Sequence, residues 1–187
     1  MVKADERREA MVDRLADFIL AEGLEAAKLR PLAKAAKVSD RMLLYYFKDK
    51  SQAVGAALER ISSRLVVILG KKTASKPLPY EALLTKLRGI VLAEDMWPYM
   101  RLWLEIVALA GRGDAFYRAT GEAIGRGMLA WAAGQLDSAS AKEREKEAAR
   151  LFVTIEGMVL LNAVGLGAVS REAFASSRPS ANKRRKA

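Results

Sequence analysis

Apolar residues recur at intervals of three and four along most of the chain, the spacing that places side chains on one face of an α-helix. Strand-like alternation is nearly absent, and glycine and proline divide the pattern into segments. The first segment runs from about residue 5 to residue 22 and stops at Gly23. Its predicted buried stripe consists of Met11, Leu15, Phe18 and Ile19. The sequence therefore predicts an all-α fold.

Two short helical segments follow the first one. Pro31 suits the first turn of a helix at about 31–37, because its fixed φ fits there and its missing N–H is not needed. Ser39 offers an N-cap oxygen to a second short helix at about 40–46, and Asp49 can cap a longer helix at about 50–69. The inward-facing residues of the first short helix are predicted to be Leu32, Ala33 and Ala36. This order of helices predicts a three-helix, helix-turn-helix DNA-binding domain.

The rest of the chain is predicted to form a helical body. Helical spacing gives four further helices, at about residues 80–94, 97–110, 114–135 and 142–168. The polar, proline-bearing stretch 70–79 is a candidate boundary between the DNA reader and the body. We assign residues 1–50 to the helix-turn-helix domain, 51–170 to the body and 171–187 to a disordered basic tail.

The chain carries a formal net charge of +10, with 32 basic residues against 22 acidic ones. Such a charge draws a protein to polyanions such as nucleic acid. The positive charge is concentrated in the helix-turn-helix segment and in the tail. The basic residues of the first cluster are Lys28, Arg30, Lys34, Lys37, Arg41, Lys48 and Lys50. The tail cluster can strengthen nonspecific DNA binding or keep the protein in solution.

The chain contains neither cysteine nor histidine. Thiolate nucleophiles, disulfides, zinc-finger ligands and the usual general base at neutral pH are therefore excluded. We expect no enzymatic activity, metal or cofactor, although a carboxylate-based enzyme in the body is a rival that turnover assays with added metals would detect. The charged start is unlike a secretory signal, and the longest apolar stretch, 158–169, is too short for a membrane span. We expect a cytoplasmic protein that does not bind membranes.

The start of the second short helix carries side chains suited to reading DNA. In a helix-turn-helix unit this part of the helix enters the major groove, where Arg41 can bind guanine and Met42 can contact a thymine methyl group. Tyr45 and Tyr46 can donate to phosphate, and Lys50 with the N–H groups of its helix start can bind another phosphate. The predicted DNA-binding residues are Lys28, Arg30, Ser39, Asp40, Arg41, Met42, Tyr45, Tyr46, Lys48 and Lys50.

The stretch from Gly23 to Val54 resembles the helix-turn-helix signature of the TetR family of transcriptional regulators. The matching positions are Gly23, Leu32, Ala33, Ala36, Val38, Ser39, Leu43, Phe47 and Lys50. Lys37 replaces the glycine of the family's turn, and Leu44 replaces its usual aromatic residue. The resemblance implies a homodimeric repressor of a double-stranded DNA operator, whose second domain, here 51–170, dimerises and binds a small apolar or amphipathic inducer.

Large aromatic residues and methionines between positions 96 and 131 suit a cavity for such a ligand, although an ordinary packed core explains them as well. Glu156 and Asn162 interrupt an apolar region, where they can contact a ligand or form hydrogen bonds across a dimer. The predicted ligand-binding residues are Trp97, Met100, Trp103, Phe116, Tyr117, Met128, Trp131, Glu156 and Asn162. The last two predicted helices, 114–135 and 142–168, are the expected dimer surface.

These features together predict a ligand-responsive repressor that binds a near-palindromic operator as a dimer. The alternative is a helical dimer that binds DNA without sequence preference or acts as a scaffold, using its positive charge alone.

Overall fold

Helices joined by short turns make up the fold in the computed structural model, which describes residues 2–174. The first four are α1 (Val2–Glu22), α2 (Leu29–Ala36), α3 (Asp40–Tyr46) and α4 (Lys50–Lys72). They are followed by α5 (Tyr80–Val91), a 3₁₀ turn (Glu94–Met96), α6 (Trp97–Gly111), α7 (Ala115–Gly134), α8 (Ala141–Ala163) and α9 (Gly167–Ala173). Residues 2–174 contain no strand beyond an isolated bridge between Leu78 and Leu136. The predicted all-α fold is confirmed.

The head, α1 to α3 with the first half of α4, has its own hydrophobic core. Its largest fully buried side chains are Leu15, Ile19, Leu32, Leu43, Phe47, Val54 and Leu58. The predicted stripe of α1 is buried except for Phe18, which is partly buried against this core. Leu102 and Ile106 of α6 complete the cluster, so the head is packed directly against the body.

The body has a second core between α5, α8 and the ends of α4 and α7. Its buried residues include Leu69, Leu83, Leu87, Met96 and Leu151. Helix α4 is common to both cores, because Val54, Leu58 and Ile61 lie in the head cluster and Leu69 lies in the body cluster. One continuous helix thus connects the head with the body.

Ion pairs fasten α1 to α4 on the outer side of the head. Arg60 is paired with Glu9 and Asp13, and Arg64 is paired with Asp13 and Asp17. The hydrogen bond from Arg60 lowers the pKa of the Asp13 carboxyl below its ordinary value, and Arg64 adds to this effect. These contacts keep α4 in register with α1, and both helices contribute buried residues to the head core.

The turn between α2 and α3 is closed by Lys37 in a left-handed conformation, with φ 60° and ψ 43°. The Lys37 N–H donates to the Lys34 carbonyl at 3.1 Å, and the Val38 N–H donates to the Ala33 carbonyl at 3.0 Å. This pair of hydrogen bonds is the Schellman arrangement, in which glycine is the usual residue. The left-handed turn is therefore kept although Lys37 has replaced glycine.

Two predicted helix boundaries in the body are wrong. The helix predicted at 80–94 ends at Val91, since the extended backbone of Ala93 turns the chain and buries Met96. The helix predicted at 142–168 ends at Ala163. Gly165, with a φ of +81°, turns the chain, and a second helix, α9, begins at Gly167. The Leu166 N–H donates to the Leu161 carbonyl at 2.7 Å and completes this end.

The start of the predicted disordered tail also needs correction. Residues 171–173 belong to the last turn of α9 and are not part of a disordered tail. Ser170, the residue before them in the same helix, is buried. The ring of Phe174, the residue after α9, lies 5.7 Å beneath the Arg88 guanidinium, which holds this end of the chain on α5. The remainder of the predicted tail, 175–187, lies outside the described residues. None of the helices described is both long enough and apolar enough to span a bilayer.

The conformation of Lys37 yields a test of stability. We expect Lys37→Gly to raise the free energy of unfolding by about 0.5 to 1 kcal/mol, because glycine removes the Cβ clash of a left-handed residue. Lys34→Gly is the matched control, since Lys34 is also exposed and lies within α2. It should lower the free energy of unfolding by about 1 kcal/mol. Urea denaturation measures the free energy of unfolding of both variants. A loss of stability in Lys37→Gly would contradict the left-handed conformation of Lys37.

Candidate nucleic-acid interface and ligand cavity

Helix α3 is held in place at both ends. The Ser39 hydroxyl oxygen accepts a hydrogen bond from the Met42 N–H at 3.2 Å, which caps the start of the helix. Leu43 and Phe47 are completely buried and anchor the inner face of α3 to the head core. Arg14 of α1 donates to the carbonyl of Ala36 at 3.1 Å and so fastens the end of α2, on which α3 rests. The outer face of α3 is thereby fixed in orientation.

That outer face carries three of the side chains predicted to read bases and phosphates. Arg41 is exposed, Met42 is 45% exposed and Tyr45 is 80% exposed. Tyr46 is half-buried against the head core and lies edge-to-face with Tyr45, at 5.3 Å between ring centroids. An aromatic residue so exposed gains little from folding, which favours a role in contacting another molecule.

Exposed cations surround α3 on both sides. Lys28 and Arg30 lie at the start of α2, and Lys48 and Lys50 lie at the start of α4. Asp49 caps α4 by accepting a hydrogen bond from the Gln52 N–H at 2.8 Å, while the Gln52 side chain accepts one from the Lys48 N–H at 2.7 Å. The loop that carries Lys48 is thus ordered beside the free N–H groups of the helix.

The predicted site differs from the observed surface in several positions. Ser39 uses its side chain as a helix cap, and Asp40 is half-buried in the first turn of α3. Three residues outside the predicted set, on α2, its turn and α3, are also exposed: Lys34, Lys37 and Leu44. The two lysines belong to the basic cluster of the sequence, which was the signal that could have included them.

Helix α6 contacts the end of α1 and the loop that follows it. Arg101 Nη2 donates to the carbonyl oxygens of Leu20 at 3.1 Å and Ala21 at 2.8 Å, which have no partner within the helix. Glu105 Oε2 accepts a hydrogen bond from the Leu24 N–H at 2.6 Å. We call these contacts of Arg101 and Glu105 the α6–head latch.

Gly23 makes the latch sterically possible. Its φ of +81° lies in the left-handed region, and a Cβ at this position would lie 2.8 Å from Glu105 Oε1. A side chain there would both strain the backbone and displace the carboxylate. Gly23, which the sequence predicted to end α1, therefore also lies where α6 of the body forms hydrogen bonds with the head.

A cavity of about 110 Å³ lies between α4, α5, α6, α7 and α8. Five of the predicted ligand-binding residues line it: Met100, Trp103, Met128, Trp131 and Glu156. Most of the remaining wall is aliphatic, with Leu58, Ile61 and Leu65 contributed by α4. Two helices that line the cavity also reach the head: the first half of α4 belongs to it, and α6 packs against it.

Glu156 lies in the wall of this cavity and accepts a hydrogen bond from Trp103 Nε1 at 2.6 Å. Burial raises the pKa of the Glu156 carboxyl, and the hydrogen bond from Trp103 opposes part of that rise. The remaining predicted ligand residues do not line the cavity. Phe116 and Tyr117 pack against the head core, Trp97 packs against Val91 and Val159, and Asn162 lies at the turn into α9.

The arrangement of α1 to α3, with an exposed second short helix flanked by basic residues, defines a helix-turn-helix protein. No protein-family model matches the chain. A curated relative, the HTH-type transcriptional regulator PksA of Bacillus subtilis (strain 168), is 25% identical over 160 residues. The match covers 83% of this chain and 78% of PksA.

Solved structures show the same fold. A protein described as a TetR-family transcriptional regulator from Rhodococcus sp. has a TM-score of 0.67 and 21% identity, covering 90% of this chain and 94% of the other. The reduced form of E. coli NemR has a TM-score of 0.67 and 19% identity, covering 89% and 93%. The chain therefore has the fold of TetR-family transcriptional regulators and resembles PksA, an HTH-type transcriptional regulator, in sequence.

The latch predicts that Gly23→Ala lowers the free energy of unfolding more than Gly113→Ala does. Both glycines have positive φ, so each substitution should cost about 1 to 2 kcal/mol in backbone strain. Only Gly23 has a neighbour within 4 Å of the added Cβ, namely the Glu105 carboxylate. Thermal or urea denaturation gives the difference in stability loss between Gly23→Ala and Gly113→Ala. Glu105→Ala removes the side chain that the new Cβ would meet, so adding it to Gly23→Ala should abolish the extra loss. Equal losses in the two single variants would mean that Glu105 is not held against Gly23.

Proposed function

We propose that this TetR-like regulator is a ligand-responsive repressor that binds a near-palindromic operator as a homodimer. The observation that carries the proposal is the outer face of α3, where Arg41, Met42 and Tyr45 are exposed on a helix anchored by Leu43 and Phe47. An oriented set of donors and apolar groups on a fixed helix is what sequence reading requires. A scaffold that used charge alone would not need this order.

In this proposal α3 lies in the major groove of the operator. Arg41 binds the O6 and N7 atoms of a guanine, and Met42 contacts a thymine methyl group. Tyr45 donates its hydroxyl to a phosphate, with Tyr46 packed behind its ring. Lys48 and Lys50 bind the next phosphate together with the free N–H groups at the start of α4. Contacts from Lys28 and Arg30 extend the grip along the backbone.

The dimer is proposed to form through α7 and α8. The outside of α8 carries an apolar stripe at helical spacing, with Val153 71%, Leu160 55% and Val164 62% exposed. Gly157 lies within this stripe and has no atom within 4 Å of the position of a Cβ, which leaves room for a facing helix. A second copy covering this stripe would place two α3 helices on one side of DNA, about 34 to 36 Å apart for adjacent half-sites.

The cavity is proposed to bind the inducer, and α6 is proposed to transmit its effect. Trp103 and Ile106 face the cavity, while Arg101 and Glu105 on the same helix hold the end of α1. A ligand that displaced α6 would therefore move the head through the α6–head latch. Such a ligand releases DNA only to the extent that it binds the displaced conformation more tightly.

Arg41→Ala tests sequence reading. We expect it to reduce discrimination between the operator and random DNA by about 1 to 3 kcal/mol, since one bidentate contact to guanine is lost. The operator would first be obtained by sequencing genomic fragments that the purified protein selects, and affinities measured by fluorescence anisotropy. The control is Lys86→Ala, which removes an exposed cation from α5. If both variants lost affinity equally for every sequence, nonspecific binding through charge would replace the proposal.

A second variant tests the dimer. We expect Leu160→Glu with Val164→Glu to give a monomer, because carboxylates in the apolar stripe would be buried without partners. Sedimentation velocity reports the mass, and operator affinity should fall at least tenfold since two half-sites no longer bind together. Val107→Glu on α6 is the control, because Val107 is 46% exposed but lies outside the stripe. A dimer that survived the double change would place the interface elsewhere.

A further inference from the structure

Among residues 2–174, Glu156 is the one charged residue that lines the cavity, with no lysine or arginine beside it in the wall. Apart from Glu156, the polar side-chain groups in the wall are the hydroxyls of Ser62 and Tyr99 and the indole N–H groups of Trp103 and Trp131. The cavity is therefore an apolar space with one carboxylate.

The carboxylate is only partly satisfied by the protein. Trp103 Nε1 donates to Oε2, but within residues 2–174 the structure shows no hydrogen bond to Oε1 and no ion pair to Glu156. Glu156 is half-buried, and a carboxylate taken partly out of water is stabilised by a cation or by further donors. The same burial raises the pKa of Glu156. Trp103 supplies one neutral donor, so the site lacks a positive charge that a ligand can bring.

We propose that the cavity binds a small lipophilic cation, an alkyl- or arylammonium, whose nitrogen lies beside Glu156 and whose apolar part lies against Met100, Met128 and Trp131. The proposal rests on the proposed function, because it takes the cavity as the inducer site. The indole rings of Trp103 and Trp131 and the phenol ring of Tyr99 also line the cavity. Aromatic faces attract ammonium groups, so they favour the same class of ligand.

Other ligand classes fit the wall less well. An anionic molecule would meet the Glu156 carboxylate, and within residues 2–174 the wall holds no cation to balance either charge. A purely apolar molecule would cover Glu156 and remove it further from water without giving Oε1 a partner. The cavity of about 110 Å³ is smaller than the apolar cavity of roughly 150 Å³ that holds benzene, so a ligand with an aromatic ring enters only if side chains of the wall move. Met100 and Met128 are flexible enough to make this room.

The test compares two molecules of the same shape. Phenyltrimethylammonium carries a quaternary nitrogen where tert-butylbenzene has a carbon, so the pair differs in charge alone. Binding of each to the full-length protein is measured by isothermal titration calorimetry. We expect Glu156→Gln to weaken binding of the ammonium compound at least tenfold and to change the affinity for tert-butylbenzene less than threefold. Glutamine keeps an oxygen that can accept from Trp103 and removes only the charge.

Glu145→Gln is the matched control, because Glu145 is an exposed carboxylate on the same helix. It should leave both affinities unchanged. Equal effects of Glu156→Gln on the two probes, or no effect on either, would overturn the proposal. If Glu156→Gln does not fold, the wild-type protein decides alone: binding of tert-butylbenzene without phenyltrimethylammonium, or of neither probe, would also overturn it.

A DNA measurement separates this inference from the proposed function. Phenyltrimethylammonium is added to the protein bound to its selected operator, and release is followed by fluorescence anisotropy. Charge-dependent binding together with release supports both proposals. Charge-dependent binding without release confirms the cation site and counts against the inducer role. If phenyltrimethylammonium releases the operator equally from the wild type and from Glu156→Gln, ligand control is supported and the cation site beside Glu156 is ruled out.

Discussion

The grip of α6 on the end of α1 is the contact on which the rest of the molecule depends. Arg101 satisfies two carbonyls that α1 leaves free, and the Glu105 carboxylate accepts the N–H of Leu24 at 2.6 Å. The contact exists only because Gly23 has no side chain and takes a left-handed conformation. The position of the reader relative to the body is therefore set by short, directional hydrogen bonds as well as by apolar packing, and such bonds lose strength quickly when a helix moves.

Helix α4 gives the same two parts a second connection. Its first half is buried in the head, its second half is buried in the body, and its middle lines the cavity. The pairs of Arg60 and Arg64 with acidic residues of α1 keep it from sliding along the head. Because α4 and α6 both line the cavity and both contact the head, its contents can act on the reader from two directions. In the proposed function, a bound ligand would affect the head through these two helices.

Local signals in the sequence predicted the head closely, since each helix end there depends on nearby residues. Ser39, Asp49 and Gly23 stop or start helices through their own side chains or through the lack of one. Lys37 takes the left-handed conformation at the position where the resemblance to the TetR signature places a glycine. In the body the 3.6-residue period marked the helices, but it did not show that Gly165 would end α8 or that Ala93 would shorten α5. The ends of α5 and α8 depend on which side chains the neighbouring helices can bury.

The sequence by itself determined the helical class, the order of the reader helices and the concentration of cations around them, because capping, helical periodicity and charge are properties of short stretches. Only the tertiary structure decided which large side chains share a space. It brought Trp103 and Glu156 within 2.6 Å across 53 positions of chain, and it directed Phe116 and Tyr117 to the head core. A helical period tells which face of a helix is apolar, but the partner of that face depends on how distant helices pack.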